Sequence, residues 1–331
     1  MISTRVRIGA VLGALALGLT ACGSDADVEN TAAEGETTTI EVEDNNGTQT
    51  VTIPPQSVVA TDNRTFETLA DWGVELKAGA VSLMPKTIAY KTDESIIDLG
   101  SHREPDLEAV VAAEPDLIIN GQRFTQYQAD FERLVPDAAI ISLDPRDGQP
   151  FDAELKRQTT VLGEIFGKEA EAEQLNADLD AAIERVKAAY SADDTVMGLI
   201  TSGGEINYVT PGTGRTIGPL FDILGLTPSL EVEDGSSNHQ GDDISVEAIA
   251  DSNPDIMIVM DRDGGTATGA DDPAYRPASE LLAESQALQG VTAVREDNIV
   301  YMPADTYTNE SIQTYTEFLN ALADKLEAAK N

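Results

Sequence analysis

The chain has 331 residues and a formal net charge of −38 at neutral pH, with 21 basic and 59 acidic side chains. This excess of negative charge excludes nucleic acid as a partner and argues against adsorption to anionic lipid. A hydrophobic content of 41% is sufficient for the cores of two domains. Because basic residues are scarce, arginines at the ends of predicted strands stand out.

The amino terminus has the order of a secretory signal. Arg5 and Arg7 precede an apolar stretch over residues 8–19, which is short for a membrane span. Cys22, the only cysteine of the chain, follows a leucine–threonine–alanine triplet and resembles the acylated cysteine of a bacterial lipobox. The sequence therefore predicts a signal peptide over residues 1–22 and an extracytoplasmic protein, lipid-anchored to the bacterial cell membrane through Cys22. A plain secreted protein with a free thiol is the alternative.

The rest of the chain predicts a tether, a hairpin and two α/β lobes. The hairpin turns at Asn45-Asn46-Gly47, between two alternating runs. A helical pattern interrupted only by Gly163 and Gly167 predicts one bent helix or two successive ones, acting as a rigid connector. The predicted segments are the signal peptide 1–22, tether and hairpin 23–56, first lobe 57–152, linking helix 153–191 and second lobe 192–331.

One pattern occurs in both predicted lobes, 139 residues apart. In each copy a short helix carries a glutamate at its start (Glu108 or Glu247), a Pro-Asp pair follows it, and an apolar run leads to an arginine (Arg123 or Arg262). Such runs are typical of buried parallel strands. Because the helix runs antiparallel to the strand that follows, glutamate and arginine lie at the carboxyl edge of the sheet, where open α/β folds bind ligands. The repeat predicts a cleft between two lobes that binds an anion.

Three arginine motifs carry a family resemblance: Asn120-Gly121-Gln122-Arg123, Gly212-Thr213-Gly214-Arg215 and Met260-Asp261-Arg262. With the lipobox, the two lobes and the repeat, they resemble the substrate-binding lipoproteins of ABC-type iron–siderophore importers, of the class III periplasmic-binding-protein family. The resemblance extends from about Ser57 to the end and is specific to the subgroup that binds ferric catecholates. It implies an α/β fold of two Rossmann-like lobes with parallel-rich sheets, joined by a long rigid helix.

The resemblance also implies a function and a set of site residues. The implied ligand is a ferric siderophore, catecholate or mixed catecholate, and the implied partner is the ABC permease of an importer. The implied protein is a monomer without a cofactor of its own or a catalytic reaction, and it meets the membrane only through its lipid anchor. The implied site residues are ligand-binding Arg123, Arg215 and Arg262, iron-contacting His239 and Tyr307, and permease-docking Glu108 and Glu247.

Elementary chemistry supports the same residues. A ferric tris-catecholate carries three negative charges on a rigid core, and guanidinium groups stay ionised, donate in a fork and stack on aromatic rings. His239 and Tyr307 are suitable direct Fe(III) ligands only where a tetradentate chelator leaves two positions open. Each arginine alone is equally explained by a surface salt bridge, but two in matched repeat positions favour a ligand site.

Other residues near the predicted cleft have structural explanations. His102 lies in a polar loop, and we expect it to be solvated or packed within that loop. Lys86 and Tyr90 either line the first-lobe side of the cleft or have a structural role. The loop that carries Arg215 has the glycine spacing for a close backbone approach to a ligand.

Alternative functions remain open at this point. Haem, cobalamin and hydroxamate siderophores are alternative ligands, although three arginines favour a polyanion. A zinc or manganese receptor is disfavoured because the chain has only two histidines. A surface-anchored hydrolase is a distant alternative, since the usual nucleophile-elbow, phosphate-loop and zinc-protease motifs do not occur.

Overall fold

The computed structural model describes residues 37–330, apart from the side chains of residues 267 and 268. The predicted signal peptide, the lipidation site Cys22 and nearly all of the tether lie outside the described residues. Over residues 37–330, no helix combines the length and the apolar composition needed to cross a membrane.

Strands and helices alternate along the described chain. The strands are β1 (Thr38–Asp44), β2 (Gly47–Ile53), β3 (Val58–Ala60), β4 (Leu76–Gly79), β5 (Ile97–Asp98), β6 (Gly100–Ser101), β7 (Glu104–Pro105), β8 (Leu117–Asn120), β9 (Ala139–Ser142), β10 (Thr195–Ser202), β11 (Glu205–Val209), β12 (Thr227–Pro228), β13 (Ile256–Asp261) and β14 (Ile299–Tyr301). The α-helices are α1 (Phe66–Asp71), α2 (Leu107–Ala112), α3 (Gln128–Leu134), α4 (Phe151–Phe166), α5 (Glu169–Ala189), α6 (Gly218–Leu224), α7 (Val246–Ser252), α8 (Ala267–Ala270), α9 (Ala278–Glu284), α10 (Thr292–Arg295) and α11 (Ile312–Ala329). Short 3₁₀ helices lie at Val81–Leu83, Ala89–Thr92, Gln122–Tyr127, Gln286–Gly290 and Thr306–Thr308.

The first lobe contains a parallel sheet with the strand order β5-β4-β3-β8-β9. Its strands are short and apolar because both faces of the sheet are covered. The predicted hairpin is confirmed as β1 and β2. Its Val42 and Val51 join the first-lobe core, and the Ser142 amide donates to Asp44 over 2.9 Å. The hairpin thus packs into the first lobe, although the predicted boundaries begin that lobe only at residue 57.

The second lobe has the strand order β11-β10-β13-β14, with β12 beside the start of β10. Strands β10, β13 and β14 are parallel, and β11 is antiparallel. Side chains alternate between two apolar layers: Ile258 and Met260 belong to one core cluster, Met257 and Val259 to the other. The prediction of α/β architecture with parallel-rich sheets is confirmed.

The linking segment is two helices that fold back on each other, not one long helix. Gly167 adopts a left-handed conformation (φ 62°) and ends α4, and α5 then returns antiparallel to it. Lys156 Nζ lies 2.6 Å from Asp180 Oδ1 across the pair. A Cβ on Gly163 would lie 2.8 Å from the Cβ of Ala172, so glycine allows the two helices to pack closely. The sequence pattern gave two successive helices as one alternative, but it could not show this reversal.

Helix α4 connects the two lobes by packing on both cores. Leu155, in its first half, belongs to the second-lobe core, whereas Leu162 and Ile165 belong to the first-lobe core. Helix α11 also reaches across, because the Thr68 hydroxyl of α1 donates to Gln313 over 2.8 Å. The lobes are therefore held by packed helices.

The repeated unit is present in both lobes as a capped helix followed by a parallel strand. In α2, Asp106 Oδ1 accepts from the Ala109 amide over 2.9 Å. In α7, Ser245 Oγ accepts from the Ala248 amide over 3.1 Å, at the same place in the unit. Strands β8 and β13 follow these helices and carry the arginine segments at their carboxyl ends.

Candidate ligand-binding cleft

A cavity of about 390 Å³ opens between the lobes, at the carboxyl ends of strands from both sheets. It contains every side chain that the sequence predicted to contact ligand. Its titratable lining consists of Arg103, Arg123, Arg215, Arg262, His102, His239 and Tyr307. The cleft is therefore cationic, although the protein as a whole is strongly acidic.

On the second-lobe side, two arginines stack on one aromatic ring. The Cζ atoms of Arg215 and Arg262 lie 4.9 and 4.8 Å from the centroid of the Tyr307 ring. Cation–π attraction fixes the planes of both guanidinium groups. Arg262 Nη1 is also 2.9 Å from Asp263 Oδ1 and 3.3 Å from Ser202 Oγ. These interactions leave other guanidinium donors of each arginine for a ligand.

Glu310, just before α11, holds Arg215 from behind. Its carboxylate is 1% exposed and accepts from Arg215 Nε over 3.2 Å and from Arg215 Nη2 over 3.3 Å. It also accepts from Gln122 of the first lobe over 2.9 Å and from the Thr216 hydroxyl. Burial alone raises the pKa of Glu310, but the charges of Arg215 and Arg64 reverse this and lower the pKa to about 2. Glu310 therefore stays ionised and links the two sides of the cleft.

The glycine-rich loop that carries Arg215 has an internal role. A Cβ on Gly214 would lie 2.5 Å from the carbonyl oxygen of Thr210, within the same loop. Gly212 has φ 76°, a value that favours glycine. These glycines shape the turn that presents Arg215, and Gly214 lies beside Arg215 in an adjoining pocket. The close backbone approach to a ligand stays a prediction.

On the first-lobe side, Arg123 follows β8 and is exposed. A Cβ on Gly121 would overlap the side chain of Asp62, which explains the glycine of the motif. Arg123 Nη1 lies 3.3 Å from His102 Nε2. His102 and Arg103 form the turn of the short β6–β7 hairpin and both line the cavity. His102 thus faces the cavity from its loop, a position that the sequence did not indicate.

His239 reaches the cavity from the second lobe, on the loop before α7. Burial lowers its pKa, and the charges of Arg123, Arg262, Arg215 and Arg103 lower it further. The imidazole is thus neutral at neutral pH, the form that can bind a metal. Within the described part of the chain, His, Cys, Asp and Glu side chains form no group of three or more that could hold a metal ion.

A second carboxylate lies behind the first-lobe side. Asp62 is fully buried, and its oxygens accept from the Arg64 amide over 3.0 Å and from Gln158 Nε2 over 2.9 Å. Burial and the charge of Asp144 raise the pKa of Asp62 to about 7, despite the opposing charge of Arg64. Arg64 pairs with Asp144 over 3.0 Å and with Glu310 over 3.5 Å, so these charges form one network under the cleft.

Two candidate cleft residues of the first lobe lie elsewhere. Tyr90 is buried and its hydroxyl donates to the Val74 carbonyl, which is a structural role. Lys86 does not line the cavity but forms an exposed ion pair with Asp271 of the second lobe, over 3.0 Å. Of the two explanations that the sequence allowed, the structural one applies to both.

The predicted docking glutamates lie in the first turns of α2 and α7, one per lobe. Glu108 and Glu247 are both exposed. Within residues 37–330, neither carboxylate forms a hydrogen bond or an ion pair. Both lie at the starts of the helices that lead into β8 and β13, the strands that end at the cleft arginines.

Sequence reasoning missed Arg103, and it missed His102 as a cleft residue. His239 lies in the loop before the second repeat helix, and this loop faces the cleft. The same holds for His102 and Arg103, which directly precede the first repeat helix at Asp106. Extending the repeat upstream in both lobes would have found them.

Two α/β lobes, packed linking helices and a charged cleft between them define a two-lobed solute-binding protein. The chain belongs to the periplasmic binding protein family, whose sequence model matches residues 58–306.

Individual relatives are similar over most of their length. The petrobactin-binding protein YclQ of Bacillus subtilis is 27% identical over 320 residues, covering 93% of this chain and 95% of that protein. The ferric-anguibactin-binding protein FatB of Vibrio anguillarum is 27% identical over 275 residues, covering 82% and 81%. The crystal structure of the periplasmic catecholate-siderophore-binding protein VctP of Vibrio cholerae matches with a TM-score of 0.73 at 21% identity, covering 88% of this chain and 100% of that one. The structural match shows the shared fold.

Proposed function

We propose that this protein captures a ferric siderophore in its interlobe cleft and delivers it to an ABC permease for iron uptake. The observation that carries the proposal is the convergence of Arg123, Arg215 and Arg262, from both lobes, on one cavity in an acidic protein. The relatives named for petrobactin and ferric anguibactin support the ligand class.

The chemistry of the cleft favours an anionic ferric chelate, catecholate or mixed catecholate. Ionised guanidinium groups can donate to the outer oxygens of the chelate and stack on its rings. Arg215 and Arg262 are held in place by Tyr307 and by carboxylates, so little side-chain entropy is lost on binding. A neutral ligand would offer no anionic partner to Arg123, which forms no ion pair within residues 37–330.

Direct iron coordination by the protein is the finer part of the proposal. His239, neutral at neutral pH, and Tyr307 both line the cavity and supply the donors that a tetradentate chelate lacks. A hexadentate chelate fills the iron shell itself and needs only the arginines.

Delivery requires two further features. Acylation at Cys22 would keep the protein, as a monomer, at the outer surface of the membrane beside its permease. Glu108 and Glu247 would dock on arginines of the permease mouth, one glutamate from each lobe.

Fluorescence quenching of the protein by a panel of ligands tests the function. The panel contains ferric tris-catecholate, a tetradentate ferric bis-catecholate, ferric trihydroxamate, haem, cobalamin and zinc. We expect saturable quenching by the catecholates, and a changed charge-transfer band only with the tetradentate chelate, abolished in His239→Ala. Saturable binding of haem or cobalamin alone would replace the proposed ligand.

Arg262→Ala is the matched variant for this panel. It should weaken ferric catecholate binding by about 1.5–3 kcal/mol, the scale of one charge-assisted hydrogen bond in a partly buried site. Arg276→Ala is the control, because Arg276 is an arginine of the same lobe that pairs with Glu284 outside the cleft. Equal affinities of the two variants would show that the ligand does not meet Arg262.

A further inference from the structure

The β6–β7 hairpin brings two side chains to the first-lobe wall of the cleft. Its two residue pairs, Gly100 with Pro105 and Ser101 with Glu104, leave His102 and Arg103 at the turn. Both side chains line the same cavity as Arg123. The hairpin thus adds an imidazole and a guanidinium to the first-lobe side.

The hairpin turn is anchored to the segment that carries Arg123. The Tyr127 hydroxyl donates to the His102 carbonyl over 2.9 Å, and Gln126 Nε2 donates to the same oxygen over 3.3 Å. Gln126 Nε2 also donates to the Arg123 carbonyl over 2.8 Å. These bonds fix the backbone of His102 relative to that of Arg123.

The hydrogen bond between the His102 and Arg123 side chains has a defined direction. Arg123 Nη1 can only donate, so His102 Nε2, at 3.3 Å, accepts, and the ring proton is on Nδ1. Burial and the charges of Arg123 and Arg103 lower the pKa of His102, which keeps the imidazole in this accepting form. Within the described residues, His102 is the side chain to which the exposed guanidinium of Arg123 donates.

Arg103 is an uncompensated charge at the cleft wall. It is exposed, and its guanidinium has no carboxylate partner within residues 37–330. Its side chain lines the same cavity as Arg123, Arg215 and Arg262. A cation that faces the cleft in this way is available to an anionic ligand.

We propose that the β6–β7 hairpin is a specificity arm of the cleft: Arg103 is a fourth cationic contact to the anionic ferric chelate, and His102 is the positioning residue that orients Arg123 toward it. The inference rests on the proposed function and narrows the ligand class, because four cationic contacts favour chelates with several negative charges over neutral ones.

The role of Arg103 is tested by the affinity for a hexadentate ferric tris-catecholate, which needs no iron ligand from the protein. Arg103→Ala should weaken binding about tenfold, the effect expected for one charge-assisted hydrogen bond. Arg103→Lys, which keeps the charge, should recover part of this affinity. The control is Arg133→Ala, which changes the net charge of the same lobe equally but removes an arginine that pairs with Asp130 on α3. If Arg103→Ala binds as tightly as Arg133→Ala, Arg103 does not meet the ligand.

The role of His102 is tested by a double-mutant cycle with Arg123. We expect His102→Ala to weaken binding about fivefold in the wild type and not at all in an Arg123→Ala background, because it acts through that arginine. His102→Gln, whose carbonyl oxygen can accept from Arg123, should restore most of the affinity. An equal decrease in both backgrounds would show that His102 meets the ligand itself, and no decrease in either would show that it is idle; each result overturns the positioning role.

Wild-type protein in the same titrations separates this inference from the proposed function. If the wild type fails to bind any ferric chelate, both fall. If it binds and the Arg103 and His102 variants match their controls, only the specificity arm is wrong.

Discussion

The two sides of the cleft carry the same kinds of group but hold them differently. On the second-lobe side, Arg215 and Arg262 share the Tyr307 ring, and each guanidinium pairs with a carboxylate. On the first-lobe side, Arg123 and Arg103 are exposed, and the Arg123 guanidinium donates to His102. The guanidinium groups of the second-lobe side are held by carboxylates, whereas those of the first-lobe side have no carboxylate partner within residues 37–330.

The buried carboxylates behind the two sides also differ, in their neighbouring charges and therefore in their pKa values. Glu310, behind Arg215, faces two guanidinium groups and has its pKa lowered to about 2. Asp62, behind the Arg123 segment, faces Asp144 as well as Arg64, and its burial raises its pKa to about 7. The second-lobe arginines Arg215 and Arg262 are therefore compensated by carboxylates, whereas Arg103 and Arg123 form no ion pair within residues 37–330.

The largest expected effect is that of removing Glu310. Glu310→Ala would leave Arg215 and the buried Arg64 without their shared carboxylate, so it should lower the free energy of unfolding by about 3–5 kcal/mol. It should also weaken ligand binding, because Arg215 loses its orientation on Tyr307. Urea denaturation measures the first effect and fluorescence titration the second.

Glu317→Ala is the control for that variant, since it removes an exposed carboxylate from the same helix α11. If the two variants are equally stable, the second-lobe side does not owe its rigidity to Glu310, and the contrast between the two sides fails.

The contrast itself could be predicted from the sequence only in part. The repeat of capped helix, Pro-Asp and apolar strand placed Arg123 and Arg262 at equivalent sheet edges, because the topology of a parallel sheet follows from local patterns. The partners of these arginines could not be predicted in this way. Glu310 meets Arg215 across 95 residues and Gln122 across 188, and no local pattern encodes interactions of that range.

The linking helices show the same limit. Their helical periodicity and the break near Gly167 were visible in the sequence, whereas the reversal of the chain depends on the left-handed conformation of that glycine and on the fit of Gly163 against Ala172. The place of His102 at the cleft wall could not be predicted for a different reason. Its loop has a polar composition typical of solvated loops, and its place in the cleft comes from backbone bonds to Gln126 and Tyr127.

A smaller expected effect is a difference between Asp62 and Glu310 in how their contributions to folding stability depend on pH. The pKa of Asp62 is about 7 in the folded protein, whereas an aspartate in the unfolded chain has a pKa near 4. The unfolded state therefore binds fewer protons in that window, and the contribution of Asp62 to stability falls as pH rises from about 4 to about 7. Asp62→Asn should remove this component, so the variant gains on the order of 3–4 kcal/mol relative to the wild type across that range.

Urea denaturation of both proteins at several pH values between about 4 and 8 measures this difference. The contribution of Glu310 to stability has the opposite pH dependence. Because its pKa is lowered, this contribution is present above about pH 4.5 and is lost as the pH falls toward about 2. A constant difference between Asp62→Asn and the wild type over the whole window would mean that Asp62 is ionised throughout, and that the two sides of the cleft are equally compensated.

The smallest expected effect on binding and stability concerns the one feature in which the two lobes are alike. Glu108 and Glu247 begin equivalent capped helices, one in each lobe, and both are exposed. Favourable interaction with the helix dipole would by itself explain a glutamate there, and its removal would cost only about 0.3–1 kcal/mol per site. Docking on a permease requires instead that both carboxylates be present together, one on each side of the cleft.

The Glu108→Ala, Glu247→Ala double variant should therefore bind ferric catecholate with wild-type affinity and yet fail to support iron uptake by whole cells. Its control is Glu164→Ala with Glu173→Ala, which removes two exposed glutamates from the linking helices with the same change of net charge. Normal uptake by the docking variant at equal expression would leave both glutamates with the helix dipole as their role; uptake that fails in the control as well would trace the defect to net charge rather than to a docking pair.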